Sequence, residues 1–171
     1  SFEIAVPTRY GLSLWNTLIA SGEEFGITPV GSDTSMLLRT EKGFVAAGLE
    51  GDGYVDLYDV GMDWLVSDQK KDFIGKRSMQ RNRSTPGSRP EVIGLLPSDP
   101  KFVPPKGAPI IEYDKNSDLS KQIGMVTIGF FSPTLGHSIA LAQLRDGRSC
   151  IGESVTIFTK ANTKSARVCE P

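Results

Sequence analysis

Histidine and cysteine are scarce in this chain, with one of the first and two of the second among 171 residues. A lone histidine, His137, excludes multi-histidine metal sites and argues against a nucleophile–histidine arrangement. Its setting, Leu135-Gly136-His137-Ser138-Ile139, is that of a turn or strand start. Cys150 and Cys169 lack CxxC spacing, which suggests buried thiols in a reducing compartment, with a disulfide between them as the alternative. Long apolar runs are missing too: 125–131 and 139–142 are the longest, too short to cross a membrane as helices. Neither sign of charge dominates, since the formal net charge is −1. No general pull toward nucleic acid or anionic lipid is therefore expected. Walker A and GxGxxG patterns are absent. So is a signal or transit pattern, which leaves the cytoplasm as the expected location.

What is present is the composition of an ordinary globular protein, 39% apolar and 23% charged. Such a length buries about 70% of the unfolded surface, enough for one large or two small domains. The opening residues alternate Phe2, Ile4 and Val6 with Glu3 and Ala5, the period of a β-strand. Chain ends usually fray, so a core strand at the first residue, with no initiator methionine, reads as a piece cut from a longer polypeptide. Pro7 and Thr8 then open a helix in which Leu12, Trp15 and Ile19 recur at helical spacing, and Gly22 stops it. Ser32 and Asp33 are N-cap candidates for a second helix carrying Met36, Leu37 and Leu38, ended by Gly43 in the left-handed C′ role. Residues 44–47 and 61–66 read as strands, and 48–58 as a Gly- and Asp-rich loop. Asp72 is placed to cap a short helix over 74–81.

At Asn82 the composition turns polar, with Pro86, Gly87 and Pro90, and residues 82–90 read as a linker. Beyond it come six short strand-like runs, 92–96, 109–113, 123–130, 138–144, 154–159 and 165–169. Even spacing of this kind predicts a small antiparallel sandwich or barrel. Asp146-Gly147 has the chemistry of a hairpin turn. The predicted fold class is α+β: an α/β part over 1–81, the linker, and an all-β part over 91–171.

The residues by themselves name little chemistry. Gly51-Asp52-Gly53 lacks the acidic spacing of an EF-hand and reads as a solvated turn. Lys70, Lys71, Lys76, Arg77 and Arg81 form a basic run, read as a solvated face with a docking surface or anionic-ligand site as the alternative. Glu3 stands out, because a carboxylate in an apolar strand must face water or find a donor. A pair of N–H groups on a heterocyclic edge would satisfy it; a surface glutamate is the plainer reading.

Several segments, taken in order, resemble one family. Phe2-Glu3-Ile4-x-Val6-Pro7, Leu14-Trp15, Gly26-Ile27-x-Pro29 and Leu38-Arg39-x-Glu41-Lys42-Gly43 are similar to the folate-binding domain of the glycine-cleavage T-protein (aminomethyltransferase) superfamily. Lys71-Asp72-Phe73-Ile74-Gly75-Lys76 resembles a signature of that superfamily. Gly124-x-Val126-Thr127 and the run 132–142 resemble its C-terminal barrel. Within the superfamily the stretches 38–44 and 60–66 look most similar to the C-terminal part of the sarcosine oxidase alpha-subunit branch. The resemblance implies a partial folate-binding α/β domain over 1–81, followed by an aminomethyltransferase barrel over 91–171.

By the same resemblance, Glu3 matches the glutamate that bonds the pterin edge of tetrahydrofolate, with Arg39 and Glu41 as further candidates to line the folate cleft. Both also read as an ion pair at the helix end. Phe73 and Ile74 are expected to wedge the short helix into the core. The family's catalytic aspartate lies upstream of this chain, so no catalytic residue and no metal ligand are assigned. Ser35 stands where T-proteins carry an arginine, and the chain reads as trimmed at both ends. The implied parent is an oxidoreductase of one-carbon metabolism that also uses FAD, FMN and NAD outside this segment. It would capture the one-carbon unit of an N-methyl amine as 5,10-methylene-tetrahydrofolate. Implied partners are reduced folate and other subunits of a hetero-oligomeric oxidase, with neither nucleic acid nor membrane, and the segment alone is expected to be inactive. Two other readings stay open: a non-catalytic assembly module of the same fold, and a glycine-cleavage T-protein or demethylase acting without flavin.

Overall fold

The computed structural model describes residues 2–67, 69–84, 89–113, 120–160 and 162–171. They group into two compact units, 1–35 and 36–171. In the first, residues 2–7 have no regular structure, and a 3-10 turn at Thr8–Tyr10 leads into α1 (Gly11–Gly22). The expected opening strand therefore does not form. Alternation supplies a strand with a face, but a strand also needs a hydrogen-bonded neighbour, and no described strand pairs with 2–6. None of residues 2–35 is buried, and Leu12 stands 73% exposed.

Helix α2 (Ser32–Glu41) ends where the sequence predicts. Gly43 takes φ +67°, its N–H bonds the Thr40 carbonyl (3.2 Å), and the Phe44 N–H reaches back to Arg39 (2.9 Å). These are the two bonds of a Schellman cap, which a residue with a Cβ would strain. A Cβ at Gly43 would also meet the Pro171 backbone at 2.4 Å. The turn carries 44–47 into a tight loop held by Gly51 N–H to Ala46 O (3.1 Å) and a single Ala47–Gly51 bridge, not into the expected strand. Residues 61–66 likewise form a 3-10 turn, Asp63–Leu65, entered through Gly61 at φ +74°. Asp72 spends its carboxylate on the adjacent Phe73 N–H (3.0 Å), and α3 starts only after Gly75, as Lys76–Arg83. Ile74 consequently lies in the preceding turn, fully exposed, where a core wedge was expected. Part of the expected linker, 85–88, lies outside the described residues.

All six predicted strands are present: β1 (Pro90–Pro97), β2 (Pro109–Tyr113), β3 (Ser120–Ser132), β4 (His137–Arg145), β5 (Ser154–Phe158) and β6 (Thr163–Cys169). They pair antiparallel in the order β1-β4-β3-β2-β5-β6, and β6 returns to β1, closing a barrel without free edges. Ile93 and Leu95, Ala140, Ala142 and Leu144, Val155 and Ile157, Ala166 and Val168 alternate inward and fill the interior. Register shifts at Ile110/Ile111 and Val126/Ile128 interrupt β2 and β3, the kind of bulge that bends a strand round a small barrel. Asp146-Gly147 is not a hairpin turn. Asp146 adopts φ +51° and starts a 3-10 turn, Gly147–Cys150, because β4 and β5 are not neighbours and the chain must cross to the far side.

Candidate functional site

The outer face of the barrel at β3 and β4 is covered by polar groups from residues 39–52. Glu50 is fully buried there, and a buried carboxylate requires donors. It has three: Arg39 Nη1 (3.0 Å) and the Ala46 N–H (3.1 Å) on Oε2, and the Thr127 hydroxyl (2.6 Å) on Oε1. Thr127 Oγ1 also lies 3.0 Å from the Leu141 carbonyl. The Gln143 side-chain amide donates to the Glu50 backbone carbonyl (3.0 Å). Arg39 Nη1 donates in addition to the Phe44 carbonyl (2.7 Å), locking the Schellman turn to the ion pair. Nε and Nη2 of Arg39 are buried and find no acceptor among the described residues, so half of its fork is uncommitted.

Glu41, one helical step away, accepts the Ser132 hydroxyl (2.6 Å), and Ser132 Oγ accepts the Leu135 N–H (3.0 Å) at the β3–β4 turn. The two candidates that sequence placed together, Arg39 and Glu41, thus face different partners. Residues two apart on a helix do not face each other. Glu3 belongs to the other compact unit, is exposed in an irregular segment, and has no hydrogen-bond partner among the described residues. Both its oxygens remain available to parallel donors.

A second polar cluster ties residues 54–59 to the start of β1. The Arg89 guanidinium grips Asp59 through Nε (2.9 and 3.0 Å to the two oxygens) and Nη2, and bonds the Tyr54 carbonyl (2.7 Å). The hydrogen bond to Asp59 raises the Arg89 pKa, partly opposed by burial. Asp56 accepts Asn82 Nδ2 (3.0 Å), while Glu91 accepts the Arg148 N–H (2.8 Å). These groups line a cleft of about 300 Å³ in which five carboxylates, Asp63 and Asp146 among them, face three arginines. His137 Nδ1 sits 3.1 Å from the Ser138 carbonyl, and burial pushes the Cys169 thiol above its usual pKa. Among the described residues no group of His, Cys, Asp or Glu is placed to hold a metal ion, and no helix is long and apolar enough to cross a membrane.

Sequence reasoning missed Glu50, reading its segment as a Gly- and Asp-rich loop. The only signal was an acid flanked by Gly48 and Gly51, and its receptor, Thr127, lies 77 positions away. Asp59 and Arg89, 30 positions apart, were missed for the same reason.

Residues 1–70 match the family model "GCVT N-terminal domain", and residues 91–171 match "Glycine cleavage T-protein C-terminal barrel domain". Among curated proteins the chain is 40% identical over 155 residues to sarcosine oxidase subunit alpha of Corynebacterium sp. (strain U-96), covering 90% of this chain and 16% of that one. It is 37% identical over 173 residues to the same subunit of Rhizobium meliloti (strain 1021), covering 100% and 17%. To the aminomethyltransferase of Thermoanaerobacter pseudethanolicus it is 31% identical over 159 residues, covering 93% and 41%. The chain thus spans well under half the length of these relatives. The crystal structure of glycine cleavage system aminomethyltransferase T from Bartonella henselae shares the fold, with TM-score 0.74 at 20% identity over 96% of this chain and 44% of that one.

Proposed function

The chain belongs to the glycine-cleavage T-protein (aminomethyltransferase) family, and from that premise we propose that it is the tetrahydrofolate-binding portion of a sarcosine oxidase alpha subunit. The observation that carries this reading is the 40% identity to such a subunit across 90% of the chain, running through both family domains in order. Residues 1–81 are then the C-terminal part of the folate-binding domain, 82–90 the connection, and 91–171 the barrel. An α1 whose Leu12, Trp15 and Leu18 share one face and remain exposed supports this, since such a stripe is ordinarily covered within a complete domain.

Glu3 is the proposed pterin ligand. Its uncommitted carboxylate suits the donor pair of an aminopyrimidine edge, and charge-assisted pairs of that geometry are the strong ones. Arg39, whose Nε and Nη2 are buried and lack an acceptor among the described residues, is the second candidate contact. Glu41, already accepting from Ser132, orients the helix end. Bound tetrahydrofolate would supply the amines that take up a one-carbon unit as 5,10-methylene-tetrahydrofolate. Oxidation of the N-methyl amine belongs to flavin chemistry outside this segment, as does NAD binding.

The test is calorimetric titration of a stable reduced folate into the parent chain, wild type against Glu3→Gln. The expected loss is about 1.5–3 kcal/mol, the range for a hydrogen bond to a charged group. Unchanged affinity in the variant would remove Glu3 from the site. No binding by the wild type would replace this reading with the assembly module.

A further inference from the structure

Strand β3 slips once against β4. Val126 stands opposite Ala142 and Ile128 opposite Leu141, so Thr127 between them is the extra residue of a bulge, without a partner across the ladder. Such bulges re-aim one side chain. Here the side chain is a buried threonine, and it meets the buried carboxylate of Glu50.

The Thr127 hydroxyl has one proton and two acceptors in reach, Glu50 Oε1 at 2.6 Å and the Leu141 carbonyl at 3.0 Å. The shorter, charge-assisted bond takes it. The other oxygen of Glu50 accepts Arg39 Nη1 (3.0 Å) and the Ala46 N–H (3.1 Å). Thr127 therefore reaches Arg39 through a single carboxylate. Nη1 donates a second time, to the Phe44 carbonyl (2.7 Å). A guanidinium is planar, so holding one nitrogen between two acceptors also fixes the direction of Nε and Nη2. That edge is the one with which Arg89 grips Asp59. On Arg39 it has no acceptor among the described residues.

We propose that Thr127 is a positioning residue for folate binding, which sets the direction of the Arg39 edge through Glu50. The inference rests on the reading of Arg39 as a folate contact. Thr127 and Glu50 are both buried and hydrogen-bonded, so the barrel contributes to affinity here without touching the ligand.

The test is a double-mutant cycle in the parent chain, read by calorimetric titration of a stable reduced folate. Thr127→Val keeps the shape and removes the proton. It should weaken binding about fivefold, as coupling within one hydrogen-bond network does. Thr127→Ser keeps the hydroxyl and should bind within about twofold of wild type. Arg39→Lys leaves a cation for Glu50 but has no planar edge, and in that background Thr127→Val should cost less than about 1.5-fold. An equal cost in both backgrounds would mean that Thr127 acts elsewhere, and a Thr127→Ser as weak as Thr127→Val would mean that the hydroxyl is not what matters. Either result, or wild-type affinity in Thr127→Val or in Arg39→Lys, would overturn the proposal and leave folate binding itself standing. No binding by the wild type would overturn both.

Discussion

In the barrel the buried interior is apolar, built from Ile93, Leu95, Ile110, Leu144, Ile157 and their neighbours. Among the described residues between 36 and 84 the buried side chains are Thr40, Glu50 and Asp59, all polar. The first region holds itself together by removing hydrocarbon from water, and it closes its hydrogen-bond ladder through β6 and β1. The second is held by polar ties to groups at the barrel: charge-assisted bonds from Thr127 and Arg89, and a neutral one from Gln143 to the Glu50 backbone. Several of its large apolar side chains, Phe44, Tyr54, Trp64 and Ile74, face outward, while others such as Leu57 and Phe73 are only half-buried. Specific polar ties fix where a segment sits without giving it an interior of its own. The barrel is thus the foundation, and residues 36–83 are an attachment with defined geometry.

The comparison breaks most directly at Glu50. Replacing one member of a buried ion pair leaves the other uncompensated, so Glu50→Ala should destabilise the attachment by about 3–5 kcal/mol. Amide exchange should show protection lost over residues 40–52 while β1 and β4 keep theirs. Equal loss in both would make the two regions one cooperative unit. In the barrel, Leu144→Ala should cost about 2–5 kcal/mol in urea unfolding, and there the loss should spread over all six strands. Leu12→Ser, on an exposed face, should change the stability of this chain by less than about 0.5 kcal/mol. A larger destabilisation would mean that the α1 stripe is packed in solution.

The smallest effect concerns Asp99. The Lys101 N–H (3.1 Å), helped by Lys164 (3.4 Å), lowers its pKa. A depressed carboxyl pKa adds stability above the unfolded value, near pH 4, and that contribution disappears as pH falls through the folded value. A carboxyl chemical-shift titration should place Asp99 below the exposed aspartates, and Lys164→Ala should reduce that depression only in part, because the Lys101 N–H remains.

Sequence made the barrel legible because each strand carries its own period-two signal, and burial inside a closed sheet enforces that period. The strands expected at 2–6, 44–47 and 61–66 had apolar content but no pairing neighbour, and local turns at Gly43 and Gly61 took precedence. Asp146-Gly147 misled for a related reason: its chemistry specifies a turn, while the strand order decides what the turn connects. At the candidate site, Glu3 stood out as a carboxylate among apolar residues, while its pterin role and the candidacy of Arg39 and Glu41 came from resemblance. Arg39 and Glu41 could not be separated by sequence, since their partners Glu50 and Ser132 are chosen by tertiary packing. Glu50 itself was invisible. Nothing near an acid in a glycine-rich loop announces a hydroxyl 77 residues downstream.

The Glu50–Thr127 bond also orders events in time. Synthesis delivers residues 36–52 first, yet the groups that capture Glu50 are shaped only when β3 and β4 are paired, and the barrel closes only when β6 has emerged. At 5–20 residues per second, on the order of ten seconds separate Glu50 from the end of β6. During that interval on the ribosome the attachment has nowhere to dock, and the Glu50 carboxylate and the half-buried side chains of Val45, Leu49 and Leu57 stay in water.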